Sequence, residues 1–362
     1  MRFMVLPCDG IGPEIAAETV KVLQAADRRF RLGFEFFEEE SGFASLKCHG
    51  TTLREEVLDR ARSRECDGVI LGPQSNMDYP PAGQGGRNVS AGFRIGLDLY
   101  ANVRPARSRD FLDSPAPGMD LVVMREATEG FYPDRNMYKG LGEFMPTPDV
   151  ALSVRKITAH GSARIAREAF KLARRRSRKV TAVHKANNFI MTDGLFLEQC
   201  RKVAQEYPDV AYDEKIVDAF AALLIRHPQE FDLVLCTNFH GDILSDLASE
   251  LSGSLGLAGS INANAETGRV CAQAQHGSAP DIEGRNIANP TSLILSGAMM
   301  LSWLGEQRGN DKLVEAGGAI GDAVDSVLSS PDSRTRDLGG SMNTDDFGTR
   351  VAGAVLSGEA AT

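Results

Sequence analysis

Short apolar runs rich in branched side chains alternate with amphipathic helical patterns along nearly the whole chain. "RFMVLP" precedes "PEIAAETVKVLQAADRRF" and "FDLVLC" precedes "ILSDLASELSGSL", with "DGVILGP", "DLVVMRE" and "KVTAVHKA" repeating the strand pattern between them. Alternation of this kind lays helices over a sheet and predicts α/β architecture. The 362 residues are enough for two domains of ordinary size, each with its own core. Late in the chain, "NPTSLILSGAMMLSWLGE" reads as a helix with Asn289 as N-cap and Pro290 in its first turn. The Pro/Gly/Asn-rich stretch from Gly72 to Asn88 is long enough to expect function of it.

Several classes are excluded early. A hydrophobic fraction of 42% beside 25% charged residues is that of a water-soluble globular chain. No apolar run reaches the roughly 18 residues of a membrane span, and "MRFMVLPCDG" lacks the basic start and cleavage site of a signal peptide, so no membrane partner and a cytoplasmic location are expected. Cys8, Cys48, Cys66, Cys200, Cys236 and Cys271 are scattered without a CxxC pair, which argues against a zinc site or a disulfide framework. The net charge of -9 opposes binding to a phosphate backbone. "ARRRSRK", Ala173 to Lys179, is the local exception; it reads most simply as the end and exposed face of a helix, with an RNA contact as the alternative.

Five stretches carry candidate chemistry. "LPCDGIGPEI" is a strand, a glycine turn and a helix opened by Pro13 and Glu14; it either points backbone amides at a ligand or is only a tight turn, and it does not match G-x-G-x-x-G. In "TNFHGDILSDLASEL", Asp242 and Asp246 are four apart, so their carboxylates share one helix face; hard oxygen ligands suit Mg²⁺ or Mn²⁺, although acids favoured at a helix N-terminus would look the same. Asp218 lies among apolar residues of "DEKIVDAFAALLIRHP" and needs a partner unless it faces solvent. Arg94, Arg104 and Arg125 offer guanidinium forks that would suit a di- or tricarboxylic acid if they converge, with Tyr132 a proton donor or an ordinary half-buried tyrosine. "QHGSAPDIEGRNIANP" has the small residues and the acid that a nucleotide requires, as would many loops. Lys185, after the strand "KVTAV", either snorkels to water or is held for chemistry.

In their order these motifs resemble the β-decarboxylating dehydrogenases, the isocitrate/isopropylmalate dehydrogenase family that includes homoisocitrate and tartrate enzymes. The resemblance runs nearly end to end through "DGIGPE", "LDLYANVRP", "REATEGFY", "VHKAN", "TDGLF", "GDILSDLA" and "HGSAPDI...IANP". It implies a two-domain isopropylmalate dehydrogenase-like α/β fold around a cleft, not a conventional Rossmann fold. Residues 1–101 and 256–362 would form the cofactor domain, and residues 102–255 the substrate and dimerisation domain. It further implies a homodimer with shared active sites, in which Lys185 acts in the neighbouring subunit's site and takes the substrate's hydroxyl proton. Asp242 and Asp246 of one subunit with Asp218 of the other would hold Mg²⁺ or Mn²⁺, and Arg94, Arg104 and Arg125 the carboxylates. Hydride transfer to NAD and loss of CO₂ would leave an enolate for Tyr132 to protonate. Contacts to NAD are implied for Ile11, His276, Gly277, Ser278, Ala279, Asp281, Ile282 and Asn289. The acid at Asp281 suits a free ribose 2'-hydroxyl, where NADP-using members carry Lys and Tyr at the positions of Asp281 and Ile282.

Four positions depart from the family's wording: Cys8 for a glycine, Ala127 for an asparagine, His240 for an aromatic residue and Gln273 for a glutamate. The substitutions at 127 and 273 lie by the expected cleft and bear on rate and on nicotinamide positioning. The resemblance places the reader of the malate 3-substituent on the helix before Arg94 and on the residue after "KAN". There the chain offers Asn88, Ser90 and Asn188 in place of aliphatic residues. Burying an isopropyl group against such groups forfeits roughly 1 to 3 kcal/mol for each one left unsatisfied. The expected substrate is therefore a hydroxy di- or tricarboxylic acid with a polar 3-substituent, isocitrate- or homoisocitrate-like, with 3-isopropylmalate second and D-malate or tartrate third. A non-catalytic RNA-binding or regulatory protein on this scaffold is the alternative of another class.

Overall fold

The computed structural model describes residues 1–358. In chain order its first elements are β1 (Arg2–Leu6), α1 (Gly12–Phe30), β2 (Glu35–Glu38), α2 (Gly42–His49), α3 (Glu55–Arg62), β3 (Gly68–Leu71) and α4 (Val89–Gly96). There follow β4 (Ala101–Arg107), β5 (Asp120–Glu126), β6 (Glu143–Thr147), β7 (Val150–Ser153), α5 (Ala159–Ala173), β8 (Lys179–His184), α6 (Thr192–Glu206) and β9 (Ala211–Ile216). The chain continues through α7 (Val217–Arg226), β10 (Leu233–Cys236), α8 (Asn238–Leu251), β11 (Ile261–Asn264) and β12 (Arg269–Gln273). It closes with α9 (Thr291–Arg308), α10 (Asp311–Ser329) and α11 (Thr344–Ser357). The α/β class follows from this alternation, and no described helix is long and apolar enough to cross a membrane.

The chain divides into two compact units, Met1–Leu99 with Ser254–Thr362, and Tyr100–Gly253. In the first, the strand order is β2-β1-β3-β12-β11, parallel except for β11 against β12. In the second it is β4-β5-β10-β8-β9, parallel except for β4 against β5. Parallel strands are buried on both faces, which is why β3 (GVIL) and β10 (LVLC) are apolar at nearly every position and wholly buried. Each unit has its own core: Met4, Leu6, Val57, Val69, Leu71 and Phe93 belong to the first, and Met124, Ile165, Phe170, Phe196, Val203 and Leu235 to the second.

The turn after β1 is tied down by one carboxylate. Asp9 accepts hydrogen bonds from the backbone N–H groups of Phe43 (2.8 Å) and Ser75 (3.0 Å) and from the Tyr79 hydroxyl. Burial, then Asp9 itself, pushes the Tyr79 phenol well above its usual range, so it remains a donor. The stretch from Gly72 to Asn88 is thus stitched to the first turn through Ser75 and Tyr79. Asp9→Ala leaves three donors unsatisfied at about 1–3 kcal/mol each, an expected loss of at least about 3 kcal/mol. A urea midpoint within error of the wild type would refute this role.

Three local expectations change in detail. The helix α9 begins at Thr291 with Pro290 at the cap, so Asn289 lies one residue earlier; its Oδ1 still accepts the Thr291 N–H at 3.0 Å. The cations after α5 are not free: Arg174 pairs with Asp209 at 2.6 Å, and Arg176 with Asp232 at 2.7 Å and Asp120 at 2.8 Å. Intramolecular neutralisation removes most of the charge an RNA contact would need. Asp218 is in the first turn of α7 and its side chain is 68% exposed, so it is not enclosed by that helix's apolar residues.

Candidate functional site

In the Tyr100–Gly253 unit, α8 follows β10 directly, and Cys236 of β10 pairs with Arg125 of β5. The start of α8 therefore lies over Arg125. At Gly241 a Cβ would come within 2.7 Å of the Arg125 Cβ, so only glycine permits this approach. Asn238 Oδ1 accepts from Arg125 Nε (2.9 Å) and Nη2 (2.7 Å), and its amide donates to the Glu129 carbonyl (2.7 Å). Arg125 Nη1 is ion-paired with Asp242, and Nη2 donates to the Tyr132 hydroxyl at 3.1 Å. Tyr132 donates in turn to Asp242 Oδ2 at 2.6 Å. Arg125 is 1% exposed, so most of its N–H groups already serve the protein.

One turn further along α8, Arg104 Nη1 donates to Ser245 Oγ (2.7 Å) and Asp246 Oδ1 (3.1 Å), and is 3.7 Å from Asp242. Burial, then the neighbouring Arg125, lowers the Arg104 guanidinium to about 10. Burial raises the Asp246 carboxyl, and Asp242 raises it further, although Arg104 opposes both. The two aspartates stand in the second and third turns of α8, with no acid in the first. Attraction to a helix N-terminus therefore does not explain them. Two carboxylates on one face, paired with arginines yet 39% and 53% exposed, form a hard-oxygen donor pair that fits Mg²⁺ or Mn²⁺. Among the described residues no three His, Cys, Asp or Glu side chains gather around one point. Asp218 does not join the pair; it accepts from Lys185 Nζ at 2.5 Å, which lowers its carboxyl.

Lys185 follows β8 on a turn fixed by a residue that motif reading passed over. Asp193, fully buried at the start of α6, accepts the Lys185 backbone N–H at 2.5 Å and pairs with Arg155 at 2.6 Å. The "TDGLF" motif contained this signal, as a buried acid eight residues past the lysine. Asn188 is exposed on the same turn. Two of the departures are also in this unit. Ala127 is wholly buried and makes only backbone bonds, to the Tyr100 carbonyl and from Arg135. His240 is buried beside Thr237, and burial lowers its imidazole, which keeps it neutral near pH 7.

The other unit gathers the residues implied for the cofactor. Ile11 N–H donates to the Ser278 carbonyl at 2.9 Å, and a Cβ on Gly10 would meet that oxygen at 2.0 Å. Ser278 Oγ bonds Ser75 Oγ at 2.7 Å, and Ala279 turns through φ +40° into the single turn Pro280–Ile282. Glu14 accepts the N–H groups of Gly284 and Asn286, binding the far end of the loop to α1. Asp281 is exposed without a hydrogen-bond or ion-pair partner among the described residues, while Asn289 donates to Asp337 at 2.9 Å. Next to exposed Gly277, His276 bonds the Gly277 carbonyl through Nδ1; its Nε2 is buried without a partner, and burial lowers the ring's basicity. A buried, orphaned imidazole nitrogen in a loop that also carries small residues and, five positions on, an unpaired acid fits a nucleotide cofactor. Arg94 and Ser90, four apart on α4, belong to this unit, with Asn88 as the helix cap.

Mostly parallel α/β units, with an aspartate pair that fits a hard cation and a Gly-Ser loop that fits a nucleotide, suit a metal- and nucleotide-using enzyme. The chain belongs to the isocitrate/isopropylmalate dehydrogenase family, whose model matches residues 2–351. Members are NAD-dependent oxidative decarboxylases that require a divalent metal, and this chain is an enzyme of that kind. It is 40% identical to the isocitrate/homoisocitrate dehydrogenase of Thermus thermophilus, over 98% of this chain and 99% of that one. It is 38% identical to the 3-isopropylmalate dehydrogenase of Archaeoglobus fulgidus, over 97% and 98%. The crystal structure of isocitrate dehydrogenase from Methylococcus capsulatus superposes with a TM-score of 0.85 at 38% identity, over 98% and 99%.

Proposed function

We propose that the protein oxidatively decarboxylates a 3-substituted D-malate whose 3-substituent is polar, isocitrate- or homoisocitrate-like; 3-isopropylmalate is the second reading and D-malate or tartrate the third. The observation that carries the polar reading is the start of α4, where the cap Asn88 and then Ser90, one turn before Arg94, stand in place of aliphatic side chains. Residues 1–101 and 256–362 form the cofactor domain, and residues 102–255 the substrate and dimerisation domain. Arg94 and Arg104, with the N–H that Arg125 retains, bind its carboxylates.

Lys185 removes the substrate's hydroxyl proton, and Tyr132 delivers a proton to the carbon that loses CO₂. The phenol is suited to this because it already donates toward Asp242 and accepts from Arg125. When bound, NAD would supply the hydride acceptor, and a divalent metal held by Asp242 and Asp246 a Lewis acid for the oxygen on the carbon that is oxidised.

The working form is a homodimer in which Lys185 and Asp218 serve the partner's site. The paired β6 and β7 leave Phe144, Met145 and Leu152 exposed; Ile225 on α7 and Ile243 on α8 are 59% and 55% exposed. Apolar side chains exposed in such number mark a surface that another chain covers. The test is NADH formation with Mg²⁺ or Mn²⁺ against isocitrate, homoisocitrate, 3-isopropylmalate, D-malate and tartrate. The highest kcat/KM is expected with isocitrate or homoisocitrate, and a preference for 3-isopropylmalate would reverse the reading of α4.

A further inference from the structure

Gln273 ends β12 where motif wording expects a glutamate, and its surroundings give it a defined orientation. Its Oε1 accepts from Ser90 Oγ at 3.0 Å and from Asn262 Nδ2 at 3.3 Å. Asn262, which is 1% exposed on β11, accepts at Oδ1 from Arg94 Nε at 2.9 Å. A guanidinium can only donate, so Asn262 must turn its oxygen to Arg94 and its NH₂ to Gln273. Gln273 must then answer with oxygen. Its own NH₂ is left facing away from the relay, and no acceptor among the described residues meets it.

The relay begins and ends on one face of α4, since Ser90 and Arg94 are one turn apart. Ser90 gives its hydroxyl proton to Gln273, and the Asn88 oxygen is occupied by the Ala91 N–H at 2.9 Å. The serine therefore has no proton to offer a ligand, whereas the glutamine has two.

We infer that Gln273 binds the substrate's 3-substituent, its two amide N–H groups donating to a carboxylate or carbonyl oxygen at that end of the molecule. This rests on the polar-substituent reading above and names the group that enforces it. A glutamate at 273 would keep the relay, because Oε1 can still accept from Ser90 and Asn262. It would turn a second carboxylate oxygen toward the ligand, where an anionic substituent would be repelled. The neutral amide lets a face that already carries Arg94 accept a second anionic group.

The test is the ratio of kcat/KM for isocitrate to that for 3-isopropylmalate in wild type and in Gln273→Glu. Like charges brought together cost enough that isocitrate turnover should fall about 10- to 100-fold, with 3-isopropylmalate moving less than about threefold. The melting temperature and the KM for NAD should stay close to wild type. An equal loss on both substrates would mark a structural role, and a shift confined to the KM for NAD a cofactor contact; either overturns the inference. If Gln273→Glu does not fold, Gln273→Met reads the same ratio, which must again fall. A wild-type preference for 3-isopropylmalate overturns the substrate reading and this inference with it. A wild-type preference for isocitrate with an unmoved ratio in the variant overturns the role of Gln273 alone.

Discussion

Lys185→Ala is expected to lower kcat by about 10²- to 10⁴-fold, the range for removing a positioned general base. The KM for substrate should change far less, because the carboxylates are held by arginines. The turn that carries the lysine is anchored through its backbone N–H to Asp193, so removing the side chain leaves the anchor intact. The decisive control is Lys185→Arg. Arginine keeps the charge and can still pair with Asp218, which now accepts from Nζ at 2.5 Å, but it does not give up its proton near neutral pH. Loss of activity in both variants, with NAD and metal binding retained, assigns the amine to proton transfer. A Lys185→Arg enzyme with more than about a tenth of wild-type kcat would reduce the residue to an electrostatic partner.

Such features were legible in the sequence to unequal degrees, and the reason is the separation between partners. Strands such as "DLVVM" and "FDLVLC" declare themselves through local composition, because a buried parallel strand must be apolar along its length. The shared face of Asp242 and Asp246 is equally local, following from helix geometry alone. Where α8 begins is not, because the end of β10 sets it; the aspartates thus moved out of the first turn and lost their bland explanation. Asp218 looked enclosed by apolar neighbours, yet its partner Lys185 is 33 residues away on another strand's end. The cations of "ARRRSRK" gave no sign of their partners for the same reason, with Asp209 and Asp232 reaching them from 35 and 56 residues on. Ser90 read as an unsatisfied hydroxyl, and the amide that satisfies it is 183 residues distant. That contact exists only because β12 pairs with β3 and β11 in one register.

Asp246→Asn should separate catalysis from stability more sharply than any other single change in the second unit. The amide oxygen can still accept from Arg104, now 3.1 Å from the carboxylate, so the local packing survives. What disappears is one of two like charges that share a helix face. Burial and Asp242 hold the Asp246 carboxyl above its ordinary range, so its ionised form is disfavoured in the fold. A group raised in this way contributes its stability below its unfolded value and loses it as pH climbs through the folded one. At pH 7 without metal, the variant should therefore melt no lower than wild type. Catalysis should fall about 10²- to 10³-fold, the scale for removing a group that stabilises developing charge, with the Mg²⁺ concentration for half-activity rising as well. Mixing this variant with Lys185→Ala then asks whose site each residue serves. If Lys185 acts across the dimer, a mixed dimer holds one site with both residues intact, and random reassortment restores about a quarter of wild-type activity. If each chain completes its own site, every site in the mixture lacks one of the two residues and no activity returns; the shared-site dimer is then wrong, while the metal role of Asp246 stands on the Mg²⁺ titration.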